Sequence, residues 1–232
     1  MKRIRGILFD KDGTLFDFAT TWETWAASFL MRLSGGDEAL ATSMGQAIDF
    51  DLGRRSFAPG SVVIAGTPQE VATVLQPFRP DMGNAALLNL LNEEAALAPQ
   101  QPAVPLAPLL TGFRENGMAL GVATNDAEAP ARAHLDSADV TGFFDFLAGS
   151  DSGFGGKPAP GQLLAFAKST GLAVQEILMV GDSLHDLLAA QNAGMPAVGV
   201  LTGFASKAQL EPHASAVLPD IGHLPAWLAP HI

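Results

Sequence analysis

No cysteine occurs among the 232 residues. That excludes disulfides, thiolate metal sites and thiol catalysis, and it fits a reducing compartment. The chain is also poor in cations: 13 lysines and arginines stand against 24 acidic residues, a formal net charge of −11 with a pI near 4.7. This balance argues against nucleic acid or an anionic membrane surface as the main partner. An anionic substrate would need local help from a metal ion, a lysine or backbone N–H groups. No uncharged apolar run is long enough to span a bilayer. The N-terminal stretch lacks the long apolar segment and small-residue cleavage site of a signal peptide. The expected location is the cytoplasm, with no membrane partner; nothing in the sequence bears on oligomeric state.

What is present is apolar residue in quantity, 48% of the chain, enough for one large domain or a core domain with a smaller companion. Residues 4–9 read as a buried strand that stops at Asp10-Lys11-Asp12-Gly13-Thr14-Leu15. Alternate residues of an extended segment share a side, so Asp10 and Asp12 can face one small volume. There they repel one another unless a cation or a shared proton relieves them. From 18 to 98 the pattern is helical, with helices expected over Thr20–Leu33, Glu38–Phe50, Gln69–Phe78 and Asn84–Leu97. This block reads as an all-helical insertion. A proline-rich stretch, 99–108, connects back to a segment of alternating elements. Strands are expected at Ala119–Thr124, Phe143–Ala148, Ile177–Val180 and Ala197–Leu201, with helices at Leu109–Glu115, Ala127–Asp136, Pro160–Thr170 and Leu184–Asn192. Such alternation predicts an α/β fold whose parallel sheet is covered on both faces.

Open α/β sheets bind ligands beyond the carboxyl ends of their strands. Four such ends carry polar residues: Asp10-Lys11-Asp12, Thr124-Asn125-Asp126, the loop Gly155-Gly156-Lys157-Pro158, and Gly181-Asp182-Ser183 followed by Asp186. Asp10 and Asp182, with Asp186 nearby, make an oxygen-rich pocket suited to Mg²⁺. Lys157 offers a point charge for a phosphoryl oxygen, and Thr124 and Asn125 offer a hydroxyl, an amide and backbone N–H groups. One carboxylate can attack as a nucleophile while a second manages the proton of the leaving oxygen. Phosphoryl transfer calls for this combination of positioning and charge neutralisation.

Asp10-Lys11-Asp12-Gly13-Thr14-Leu15, Thr124-Asn125, Lys157-Pro158 and Gly181-Asp182-Ser183-Leu184-His185-Asp186 resemble, in order, the four motifs of the haloacid dehalogenase superfamily. The resemblance implies a Rossmann-like core, residues 1–17 and 99–232, with a helical cap inserted at 18–98. It implies an Mg²⁺-dependent phosphatase acting on a small phosphorylated metabolite. Asp10 would be the nucleophile and Asp12 the acid/base, its carbonyl also on the metal. Thr124 would bond a phosphoryl oxygen, Lys157 would hold nucleophile and phosphate together, and Asp182 and Asp186 would complete the metal site beside Asp10. Asn125 is expected to touch substrate, as is one of the cap arginines Arg54 and Arg55, binding the substrate's non-reacting anionic group. His185 is expected to be an exposed helix residue. Lys11 departs from the hydrophobic residue often seen between the two aspartates. With the later Leu201-Thr202-Gly203, the arrangement looks most like the phosphoglycolate phosphatase group. A phosphonate-cleaving enzyme would need a cap lysine, and none lies between Lys11 and Lys157; a dehalogenase would lack Asp12. The alternatives are a phosphomutase of the β-phosphoglucomutase type and a non-catalytic binding protein on the same fold.

Overall fold

The strands are apolar from end to end because both faces of the sheet are covered. In the computed structural model, which describes residues 3–231, the chain opens with β1 (Gly6–Phe9) and then leaves the sheet. It forms α1 (Phe18–Leu33), α2 (Glu38–Ala47), the strands β2 (Phe50–Asp51) and β3 (Ser56–Phe57), and the helices α3 (Val62–Ala65), α4 (Pro68–Leu75) and α5 (Asn84–Ala95). On returning it runs α6 (Leu106–Glu115), β4 (Ala119–Ala123), α7 (Glu128–Ser137), β5 (Phe146–Ala148), α8 (Gly161–Thr170), β6 (Ile177–Gly181), α9 (Leu184–Ala193) and β7 (Ala197–Val200). The last elements are α10 (Lys207–Leu210), β8 (Ala216–Leu218) and α11 (Leu224–Leu228).

Six strands form one sheet in the order β5-β4-β1-β6-β7-β8, every pair parallel. The chain builds outward from β1 to β4 and β5, then crosses back to β6 on the other side. That reversal flanks β1 and puts the ligand crevice at its carboxyl end. Two apolar clusters fill the two faces, one around Phe9, Phe113 and Leu120, the other around Leu8, Phe166 and Met179.

A third apolar cluster draws all its buried members from Phe18 to Ala98. α1 supplies its spine, Trp22, Trp25, Phe29, Leu30 and Leu33. Its helices start where side chains satisfy free N–H groups: Asp17 accepts from Thr20 N, Asp37 from Leu40 N, and Thr67 and Glu70 form a capping box around Pro68. The chain passes out and back through two adjacent strands of linker, where Asp17 N donates to Gln101 O and Ala103 N to Leu15 O.

Element boundaries depart from the sequence expectation where tertiary packing competes with periodicity. The second cap helix stops at Ala47, because Asp49 turns left-handed at φ 55 and Phe50 crosses to Phe57. The two rings meet at 4.7 Å inside the cap cluster, which anchors a small hairpin in an otherwise helical cap. The strand expected from Phe143 begins only at Phe146. Thr141–Phe143 form a helical turn, and Phe144 packs edge-on against Phe9. β8 was not expected; Ala216–Leu218 is short and pairs only at the sheet edge. No helix among the described residues is long and apolar enough to cross a membrane.

Candidate active site

β1, β4 and β6 deliver Asp10, Thr124 and Asp182 one residue beyond their last paired positions, and α9 adds Asp186 from its first turn. Among the described residues, Asp10, Asp182 and Asp186 form a buried carboxylate cluster whose oxygens lie within 4.8 Å of one another. Lys157, brought in on the loop before α8, donates from Nζ to Asp10 Oδ1 at 2.7 Å, Asp186 Oδ1 at 2.6 Å and Ala123 O at 2.8 Å. Those three bonds use all of its protons.

Crowding shows in the proton affinities. Burial, then the charge of Asp186, pushes the Asp10 carboxyl up to about 7, against the pull of Lys157. Asp182 is raised well above the usual carboxylate range by burial and by Asp10 and Asp186. Burial works against the Lys157 ammonium, yet Asp10 and Asp186 outweigh it and raise its affinity for the proton. A buried, all-oxygen set of three carboxylates with one ammonium lacks positive charge, and a hard divalent cation fits that need. The backbone leaves Asp182 no slack: a Cβ on Gly13 or on Gly203 would strike its carboxylate. Gly13 also holds φ 77, and Thr202 Oγ1 ties its carbonyl down at 2.5 Å. Asp186 is a helix cap as well as a cluster member, since its Oδ2 accepts from Ser183 N and Oγ.

Asp12 stands apart from the cluster. Its carboxylate accepts from Lys11 Nζ at 2.8 Å and lines the cleft above. Lys11 is wholly buried, with Asp12 Oδ1 and His134 Nδ1 each at 2.8 Å and Asp126 Oδ2 at 3.2 Å. Burial works against its charge, but Asp12 and Asp126 raise it above the ordinary lysine range. An ammonium only donates, so Nδ1 of His134 accepts and Nε2 carries the proton given to Ala95 O at 2.7 Å. Burial and then Lys11 push the imidazole down to about 4. Burial drives Asp126 up to about 6 despite Lys11.

A cleft lies between this floor and the cap. Asp10, Asp12, Thr124, Asn125 and Lys157 line it, as do Ser183 and His185 from the start of α9. His185, expected to be an exposed helix residue, is therefore part of the cleft wall. Asn125 is committed to the protein: Nδ2 donates to Lys157 O and to Ala65 O of the cap, and Oδ1 accepts from Lys157 N. Arg54 and Arg55 lie on the exposed hairpin turn and line no part of the cleft. Arg54 pairs instead with Asp51, whose carboxylate closes the turn. The Lys11–Asp126–His134 group went unread in the sequence. Asp126 carried a signal in its strand-end position, but His134, on the middle of α7, carried none.

A family model described as haloacid dehalogenase-like hydrolase matches residues 4–194. A phosphoglycolate phosphatase of Shigella boydii serotype 4 is 30% identical over 216 residues, 87% of this chain and 82% of the relative. One from Escherichia coli (strain K12) is 29% identical over 218 residues, with 87% and 82% covered. Among solved structures, a HAD phosphatase from Thermococcus onnurineus superimposes with a TM-score of 0.66 at 24% identity, covering 99% of this chain and 98% of its own.

Proposed function

This chain belongs to the haloacid dehalogenase-like hydrolase family, and we propose that it is an Mg²⁺-dependent phosphatase of small phosphorylated metabolites, working through a phosphoryl-aspartate. One observation carries the reading: a buried carboxylate trio gripped by a single lysine lies at the bottom of a cleft between core and cap. Asp10 is the nucleophile, since its carboxylate lies at the cleft floor and Lys157 fixes one of its oxygens. Attack on phosphorus forms the aspartyl ester and expels the alcohol. Asp12, lining the cleft beside it, hands a proton to the departing oxygen and then takes one from the water that cleaves the ester. The Thr124 hydroxyl, whose oxygen accepts from Asp126 N, keeps its own proton for a phosphoryl oxygen.

Asp10, Asp182 and Asp186, with the carbonyl of Asp12, would hold Mg²⁺, which supplies charge neutralisation for the phosphoryl oxygens when bound. Asn125 sets the Lys157 backbone and ties the cap carbonyl of Ala65 to the core. The cap, residues 18–98, shields the aspartyl ester from stray solvent.

The curated relatives are named phosphoglycolate phosphatases, which makes 2-phosphoglycolate the first ester to assay. Release of inorganic phosphate from a panel of monoesters, with and without Mg²⁺, tests the reading. Turnover in the wild type but not in Asp10→Asn is expected. Equal rates for the two proteins favour a binding protein, and interconversion of sugar phosphates with little free phosphate favours a mutase.

A further inference from the structure

The chamber that would hold the organic part of the ester is built without positive charge. Residues 18–98 contain four cations, Arg32, Arg54, Arg55 and Arg79, and neither lysine nor histidine. None of the four lines the cleft. Arg32 is bonded to Glu94 on the cap exterior, Arg79 to Asp81 at 2.8 Å, and Arg54 and Arg55 sit on the exposed hairpin. On the core side both lysines are saturated, Lys11 by Asp12, Asp126 and His134, and Lys157 by Asp10, Asp186 and Ala123 O. His185 lines the cleft beside the acidic floor, at the start of α9.

On the cap side Phe18, Trp22, Trp25, Val71 and Leu91 line the cleft beside the turn at 65–68, and Thr67 and Asn92 are its polar side chains. Trp22 and Trp25 meet edge to face at 5.3 Å, and Trp25 stacks on Phe29 behind them, so the aromatic wall is firmly backed. Below it lie five carboxylates, Asp10, Asp12, Asp126, Asp182 and Asp186, against two ammonium groups. A second anionic group on the substrate would lose its water against a largely apolar wall, with no cap cation beside it to compensate.

We propose that this chamber selects phosphate monoesters whose organic part is uncharged and apolar, aromatic or branched aliphatic, over esters that carry a carboxylate. The proposal rests on the phosphatase reading above and names the class of leaving group. It runs against 2-phosphoglycolate as the best substrate of this chain, because no cap cation reaches the place of its carboxylate.

The test compares benzyl phosphate with 4-carboxybenzyl phosphate, two esters of similar leaving-group chemistry that differ in one remote charge. Wild-type kcat/KM is expected to favour the benzyl ester by about tenfold or more, with 2-phosphoglycolate on the poor side of that gap. Asn92→Arg provides the reverse arm. Asn92 is half-buried on α5 and lines the cleft, so an arginine there can send its guanidinium into the chamber. This variant is expected to shift the ratio at least fivefold toward the carboxylate ester, with circular dichroism confirming the fold. Equal or better use of the carboxylate ester by the wild type overturns the selectivity while leaving phosphatase activity standing. Turnover of 2-phosphoglycolate alone likewise overturns the selectivity, whereas no turnover of any of the three esters overturns the phosphatase reading, and this inference falls with it.

Discussion

Nζ of Lys11 stands 2.8 Å from Nδ1 of His134, and both side chains are buried. The histidine passes the link on, through Nε2, to Ala95 O at the end of cap helix α5. Trp22 of α1 lies over the same ammonium, its ring centre 5.3 Å from Nζ. The lysine between the two aspartates thus holds Asp12, the proposed acid/base residue, with one proton and points another toward a cap contact. Its charge is the only one facing Asp126 at ion-pair distance among the described residues.

Replacing that charge by an apolar chain of similar length strands its partners. Lys11→Met leaves Asp12 and Nδ1 of His134 without this donor and Asp126 without its facing cation. Near pH 8 the expected loss of stability is about 3 kcal/mol, roughly 10 °C in Tm for a chain of this size. Toward about pH 5 the deficit should shrink. Asp126 already titrates at about 6 with the lysine beside it, and without the lysine it takes up a proton more readily still. Urea unfolding at both pH values measures this. A deficit independent of pH would show that Asp126 is not the stranded group.

The proposed Mg²⁺ site would couple metal binding to pH through Asp10. A carboxyl raised to about 7 in the fold from 3.8 gives stability that is complete below about pH 4 and lost as the pH climbs through 7. Asp126 acts in the same direction up to about 6. His134 acts the other way, since an imidazole lowered to about 4 from 6.5 loses stability as the pH falls through that window. Two carboxyls outweigh one imidazole, so the metal-free protein should melt at a lower temperature near pH 8 than near pH 5. Mg²⁺ should recover most of that difference near pH 8 and do little near pH 5, where it competes with protons. Thermal melts in EDTA and in Mg²⁺ decide it, and a Mg²⁺ shift no larger at the higher pH contradicts the assignment.

Asp10→Asn separates chemistry from folding. An amide does not attack phosphorus, so turnover should fall by about a thousandfold or more. The same change removes a buried charge that burial and Asp186 disfavour, while Lys157 keeps Asp186 and Ala123 O. Metal-free Asp10→Asn should therefore melt a few degrees above the wild type near pH 8. An inactive variant that is also less stable would place the charge of Asp10 among the interactions that hold the fold.

Much of this candidate site is legible in the sequence because strand-end residues follow from chain order. Asp10, Thr124 and Asp182 each end an apolar strand, and a parallel sheet brings such ends together. The cap helices were legible from spacing, but the hairpin at Phe50–Phe57 was not, since two residues per strand carry no period. Arg54 and Arg55 looked like substrate ligands by charge alone, and the turn that Asp51 closes sends them outward. The Lys11–His134 contact joins residues 123 apart and depends on how α7 meets the end of α5. No local pattern encodes such docking.

Asn125 gives the remaining prediction, because its amide is used at both ends. Nδ2 donates to Lys157 O at 2.9 Å and to Ala65 O at 2.7 Å, while Oδ1 accepts from Lys157 N at 2.7 Å. Asn125→Asp preserves the size and the acceptor but turns both donations into carboxylate–carbonyl repulsion. Asn125→Ala removes all three bonds without repulsion. Lost positioning of Lys157 should lower kcat, and a loosened tie to the cap should raise KM. Together they should reduce kcat/KM by roughly ten- to a hundredfold, with the aspartate variant the worse of the two. Steady-state kinetics on both variants, beside far-ultraviolet circular dichroism to confirm folding, measures it. An aspartate variant as active as the wild type would show that the two donated bonds do not position the lysine.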